Sequence, residues 1–291
     1  MFGKKSYQDI NRLLNQKFQE KRVLIAVHRG AWGGNIIENT ALSYRLADEM
    51  GADMFECDIS RSTDGVLYAF HDGGEKRMLK MEQNIESLSA AEIEALVYYN
   101  SIGQPSGIGV ETFESVVAGF CNGELYNVDR AWDKMPETVA VLDRYPWALE
   151  QALIKSPVRE DVLRFLNVYP RKYMYMPIVY SMKDVETVLS YPDINTVGME
   201  LIAVNTEDDL FMKGNIDYIY SRQLFTWANA ITLSGLKEHV LYGGLDDDMA
   251  LMQSKDAAWG EMLRKGINVI QTDWPVQLKQ YRDRYFADNN H

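Results

Sequence analysis

The runs HRGAWGGNIIENT (28–40), GADMFECDISRSTDG (51–65) and AFHD (69–72) decide how this chain is read. They hold two of its four histidines, His28 and His71, and an acidic pair, Glu56 and Asp58. Just before them, residues 23–27 form an unbroken aliphatic run, the pattern of a parallel strand buried on both faces. His28 ends that strand, and Gly30, Gly33 and Gly34 mark a loop. Asn39-Thr40 can cap a helix whose apolar face is Leu42, Leu46 and Met50, and Gly51 can stop it. Residues 54–59 read as the next strand, with Glu56 and Asp58 on one face and Phe55, Cys57 and Ile59 on the other.

Two carboxylates on one face of a buried strand are costly unless positive charge lies between them. A hard divalent cation with oxygen ligands offsets that cost. Thr63-Asp64-Gly65 is a hairpin signal that folds residues 66–71 back antiparallel to residues 58–62. His71 thereby returns to the level of Asp58, and His28 ends the neighbouring strand at the same end of the sheet. Two imidazoles and two carboxylates converge.

In this order, HRG, ENT, GADMFECD, STDG and HD resemble the signature of glycerophosphodiester phosphodiesterases and the related sphingomyelinase D type enzymes. The resemblance implies an α/β fold, a (β/α)₈ TIM barrel with a β-hairpin extension and a small insertion after strand 2. It implies one divalent cation, Mg²⁺ or Ca²⁺, with His28 and His71 as general acid and base in either order. The expected reaction hydrolyses a small-molecule glycerophosphodiester to an alcohol and glycerol phosphate. The nucleophile is the substrate's own neighbouring hydroxyl or water.

Further site residues follow from the same likeness. Asp129, at the end of a strand, stands where the family has a third acidic metal ligand, often Glu followed two residues later by Lys. Here Ala131 takes the lysine's place. Lys155, near the end of the next strand, either fills that space or lies on the rim. Arg29 adds positive charge toward phosphate. Trp227 and Asn229 share one face of a late strand, and WAN is similar to the family's W-T-V-N. They line the substrate cavity, or Trp227 is core. Thr272-Asp273-Trp274-Pro275 resembles the terminal T-D-x-P and reads as structural. Ile37 replaces a common Pro in a slightly lengthened loop, where Trp32 is placed to pack against substrate.

The chain has 291 residues, and a (β/α)₈ barrel needs about 250. One domain spans residues 1–291, with an N-terminal helix in residues 1–22 and an insertion over 73–115. The helix shows one apolar face (Tyr7, Ile10, Leu14, Phe18) and many basic residues. It packs under the barrel or lies on a membrane surface. Within the insertion, Ile93, Leu96 and Val97 suggest a helix. Later strands are expected at 125–129, 151–156, 173–179, 197–203, 224–231 and 268–273, with helices at 137–144 and 182–189. Whether Glu200 faces in or out is open, and His239 and His291 have no partner to name.

Composition excludes several classes. A net charge of −12 argues against non-specific binding to nucleic acid or anionic membranes. Cys57 and Cys121, the only cysteines, read as packed thiols rather than a disulfide or metal framework. No apolar run reaches transmembrane length and residues 1–22 lack a secretory core, so a cytoplasmic protein is expected. Asp246-Asp247-Asp248 reads as a solvated cap. The oligomeric state is not indicated. Two alternative functions compete: a barrel that kept the fold as a binding module, and a metal-independent phosphatidylinositol phospholipase C-like enzyme. The retained histidines and acids argue against the first, and the Glu56-x-Asp58 pair against the second.

Overall fold

Strand β1 (Leu24–Val27) is fully buried, as its aliphatic run requires. The computed structural model that shows it describes residues 1–234, 236 and 239–288. Among the described residues nine strands form one sheet. They are β1, β2 (Met54–Arg61), β3 (Leu67–Ala69), β4 (Leu125–Asp129), β5 (Ala152–Pro157), β6 (Met174–Val179), β7 (Gly198–Leu201), β8 (Phe225–Asn229) and β9 (Val269–Thr272). All but β3 run parallel, and β1 pairs with both β9 and β2, which closes the sheet into an eight-stranded barrel. Strand β3 folds back on β2, with Ile59 opposite Ala69 and Arg61 opposite Leu67. The expected (β/α)₈ barrel and its hairpin are therefore both present.

Alternation along the strands sorts the interior into two levels. Leu24, Ala26, Met54, Leu125, Leu153, Met174, Met176, Phe225, Trp227 and Val269 pack together inside the lower barrel. The N-terminal segment seals that end. Helix Arg12–Lys21 and the preceding residues bring Phe2, Ile10, Leu13, Leu14 and Phe18 onto this cluster, and Phe2 stacks on Phe225 at 4.3 Å. Of the two placements open to this helix, it takes the one under the barrel. The opposite side chains, among them Ile25, Val27, Phe55, Cys57, Tyr126 and Ile154, join the surrounding helices in the outer core.

Three local readings need correction. Helix Ala41–Glu49 buries Ser43, Tyr44 and Ala47, not Leu42, which is 48% exposed. Tyr44 turns the helix this way: its ring stacks on Phe55 at 4.2 Å and its hydroxyl donates to Asn39 Oδ1. Cys121 is exposed in a loop, whereas Cys57 is buried as expected. Asp247 is buried rather than solvated. It accepts from the Thr272 hydroxyl, the Asp273 N–H and Trp259 Nε1, while Asp246 caps helix Asp247–Met252.

The insertion carries a small core of its own, formed by Phe70, Met78, Leu79, Ile85, Leu88, Ile93 and Tyr98, which also takes in Ile37 and Tyr68. Its expected helix is Ala90–Glu94, ending before Leu96. No described helix is long and apolar enough to cross a membrane.

Candidate active site

The carboxyl ends of the strands supply a polar upper level above the apolar floor. His28, Arg29, Glu56, Asp58, His71, Asp129, Arg130, Lys155, Glu200, Asn229 and Gln271 line one open cavity of about 200 Å³. In a (β/α)₈ barrel this end carries the chemistry. Register explains the gathering: Glu56 lies opposite Asn127, Asp58 opposite Asp129, and Glu200 opposite Trp227. The hairpin does the rest, since the Phe70 N–H donates to the Asp58 carbonyl and sets His71 beside the mouth.

His28 is held from behind. Its Nδ1 lies 3.0 Å from Asp273 Oδ1, and its Nε2 lies 3.9 Å from Glu56 Oε2. Burial alone would lower the imidazole pKa, but Glu56 and Asp273 outweigh burial and hold it above its usual range. Asp273 was read from sequence as a structural residue closing the barrel; it also orients an imidazole. Its own N–H donates to Asp247 Oδ2, so the buried Asp247 fixes the support. His71 Nδ1 lies 2.6 Å from the Asp72 carbonyl, an acceptor, which places the ring proton on Nδ1.

Arg29 is largely committed to carboxylates. Its Nη1 donates to Glu38 Oε1 at 3.0 Å, its Nε lies 3.2 Å from Asp58 Oδ2, and its backbone N–H donates to Glu56. Gly30 lets this loop press on helix Ala41–Glu49, because a Cβ there would stand 2.5 Å from Ser43 Oγ. Asn39 donates to Asp58 Oδ2 and accepts from the Asp58 N–H. Glu38 and Asn39 are thus the supports of Arg29 and Asp58. From the sequence, Asn39 reads only as a helix cap and Glu38 has no role, although both belong to the ENT motif that signals them.

Lys155 settles on the inner of its two placements. It is 1% exposed, 2.7 Å from Glu200 Oε2, 3.2 Å from Asp129 Oδ2, and 4.4 Å from the Trp227 ring centroid. Burial opposes its charge, but Glu200, Asp129 and Glu56 together raise its pKa. Glu200 therefore faces inward. Trp227 is wholly buried, a core residue that forms the floor of the site, and its Nε1 donates to Asn229 Oδ1 at 2.7 Å. Asn229 donates on to Glu200. Trp32 stands away from the cavity, about half exposed, with Arg77 over its ring. His239 lies 2.7 Å from Ser234 Oγ, and His291 falls outside the described residues.

The three acids crowd one another. Burial, Asp58 and Asp129 drive the Glu56 carboxyl up to about 8, because three carboxylates share one buried space. Asp129 is held lower, Lys155 outweighing its burial. Such excess negative charge is what a divalent ion with oxygen ligands neutralises. As the side chains stand, Asp58 leans on Arg29 and Asn39, and Asp129 on Lys155. No three histidine, cysteine, aspartate or glutamate side chains among the described residues form a group able to hold a metal ion. A bound ion would have to draw Glu56, Asp58 and Asp129 together.

The fold and this mouth define a (β/α)₈ barrel with acid and imidazole groups at its carboxyl end. Residues 28–167, just under half of the chain, match the model of the glycerophosphoryl diester phosphodiesterase family. Residues 175–282 match a second family, described only as a domain of unknown function. The first match spans β2 to β5 and the second nearly all of β6 to β9, so both lie on one closed sheet. A glycerophosphodiester phosphodiesterase of Bacillus subtilis is 30% identical over 151 residues, covering 49% of this chain and 48% of that protein. Another, from Caldanaerobacter subterraneus, is 33% identical over 75 residues, covering 26% of this chain and 30% of that protein. The chain spans half or less of the length of these curated relatives. A glycerophosphoryl diester phosphodiesterase structure from Parabacteroides distasonis superposes with a TM-score of 0.71 at 16% identity, covering 95% and 92% of the two chains. An Oleispira antarctica phosphodiesterase in complex with the product sn-glycerol-3-phosphate gives 0.63 at 17%, covering 89% and 96%.

Proposed function

We propose that the protein is a phosphoric diester hydrolase that cleaves glycerophosphodiesters to glycerol phosphate and an alcohol, with His28 and His71 as the proton-transfer pair. The single observation behind this reading is that both histidines stand at one mouth with Glu56, Asp58 and Asp129. The named activity of the partial relatives and the product in the Oleispira antarctica structure point the same way.

The chain's own groups account for the proton movements. One imidazole takes the proton of the attacking water or neighbouring substrate hydroxyl, and the other gives a proton to the departing alkoxide, each through Nε2; where the hydroxyl attacks, water then opens the cyclic phosphate to glycerol phosphate. Asp273 and the Asp72 carbonyl hold the Nδ1 sides and so fix both rings. Lys155, buried beside Asp129 and Glu200, supplies positive charge where Ala131 offers none. Glu56, Asp58 and Asp129 would hold one Mg²⁺ or Ca²⁺, whose chemistry is to draw charge from a non-bridging phosphate oxygen.

The test is a panel of glycerophosphodiesters, with release of glycerol phosphate measured with and without a chelator. Release that stops with chelator and returns with Mg²⁺ or Ca²⁺ is expected. Undiminished turnover in chelator would favour the metal-independent phospholipase C-like reading. Binding of the diesters without any cleavage would favour a binding module.

A further inference from the structure

A second cavity is joined to the catalytic mouth through the pairing of Arg29, which lines the mouth, with Glu38, which lines this cavity. It has a volume of about 270 Å³ and lies between the loop after β1 and the insertion. Trp32, Glu38, Arg77, Met78, Lys80 and Tyr99 form its working surface. Its two walls are fastened to each other: Asn100 Nδ2 donates to Asn35 Oδ1, and the Ser101 N–H donates to the Gly34 carbonyl.

Glu38 is the anomaly in this cavity. It is 1% exposed, and its Oε1 accepts from both Arg29 Nη1 and Arg77 Nη2. Its Oε2 is buried and has no hydrogen-bond partner. A buried carboxylate oxygen without a donor is costly, and because Glu38 lines the cavity, a ligand entering between its two walls can supply that donor once the side chain shifts to expose the oxygen. That donor is better neutral than cationic, because two guanidinium groups already flank the carboxylate. A hydroxyl meets the requirement.

The rest of the cavity asks for negative charge. Arg77 lies 5.8 Å from the Trp32 ring centroid and Lys80 Nζ lies 5.9 Å from that of Tyr99. These rings hold the two cations in the cavity lining. Lys80 is in no salt bridge with any described residue, and Arg77 shares its one carboxylate with Arg29. Met78 and the aromatic faces leave room for a carbon skeleton between the two polar ends.

We propose that this cavity binds a small hydroxyl-bearing anion, a polyol phosphate in chemical class. Its phosphate sits on Arg77 and Lys80, and one hydroxyl donates to Glu38 Oε2. Through Oε1 the same carboxylate holds Arg29, so an occupied cavity fixes the residue that supports Asp58. The anion is either the leaving alcohol of a substrate or a second molecule bound beside it. Only this choice of source rests on the hydrolase reading, because binding can be measured without turnover.

Calorimetry with myo-inositol 1-phosphate tests the site directly, with inorganic phosphate and glycerol as partial probes. The intact polyol phosphate should bind more tightly than either part. Arg77→Met and Lys80→Met should each weaken it about tenfold, the loss expected for one charge-assisted contact. Lys80 touches no carboxylate, so its variant leaves the Glu38 pairings in place. Competition against a glycerophosphodiester then separates the sources. Mutual exclusion assigns the anion to the leaving alcohol, and simultaneous binding assigns it to a second molecule. No binding at millimolar concentration, or binding unchanged in both variants, would overturn the proposal.

Discussion

At the scale of single residues the mouth is a set of groups with assigned neighbours. His28→Ala and His71→Ala should each lower turnover by about two to four orders of magnitude, the range for losing a general acid or base. Thermal unfolding should be nearly unchanged, which separates lost chemistry from a lost fold. Asp273→Asn should cut turnover with little change in KM, since it acts through His28 Nδ1 and not on substrate. Lys155 is different because it is buried between two acids. Lys155→Met leaves Asp129 and Glu200 unpaired and should cost about 3–5 kcal/mol of stability. Adding Glu200→Gln should recover part of that stability but not the turnover. Stability and turnover recovering together would make Lys155 purely structural.

At the scale of elements, the end of β9 is tied to helix Asp247–Met252 by one buried acid. Burial drives the Asp247 carboxyl up to about 7, against the hydrogen bonds that favour its charge. The folded chain therefore keeps a proton that the unfolded chain has lost. Stability should fall as pH rises from the ordinary aspartate value toward about 7, and level off above it. Melting temperatures across that window should show the decline in the wild type and a flatter line in Asp247→Asn. The variant should be less stable at the acid end, because an amide cannot accept every donor that Asp247 takes. The hairpin of β2 and β3 was legible because Thr63-Asp64-Gly65 states its turn locally. The buried face of helix Ala41–Glu49 was legible in part: Leu46 and Met50 pack against the core, but Leu42 lost its place to Tyr44, whose ring found Phe55 on β2.

For the whole molecule, the N-terminal segment is the floor of the barrel. Phe2, Leu14 and Phe18 close the lower cluster, and Lys4 Nζ donates to the Ile194 carbonyl on the far side of the chain. Removing residues 1–18 should cost roughly 5 kcal/mol, from about 1.5–3 kcal/mol for each buried apolar side chain. A clear drop in melting temperature with exposure of an apolar dye site would show it. Unchanged melting would mean that the floor is closed without this segment.

The order of strands, the hairpin, and the convergence of His28, Glu56, Asp58 and His71 could be read from the sequence by itself. The first two strands and the hairpin rest on local periodicity and turn chemistry within one stretch of the chain, and the order of the remaining strands on the resemblance of its motifs to a barrel family. The orientation of Lys155 and Glu200, the support of His28 by Asp273, and the burial of Asp247 could not. Each depends on which residues from distant strands come to share a level inside the barrel, and that is fixed only when β9 closes on β1. The orphaned oxygen of Glu38 belongs with them, because only packing of the insertion against the loop after β1 decides which of its two oxygens finds a donor.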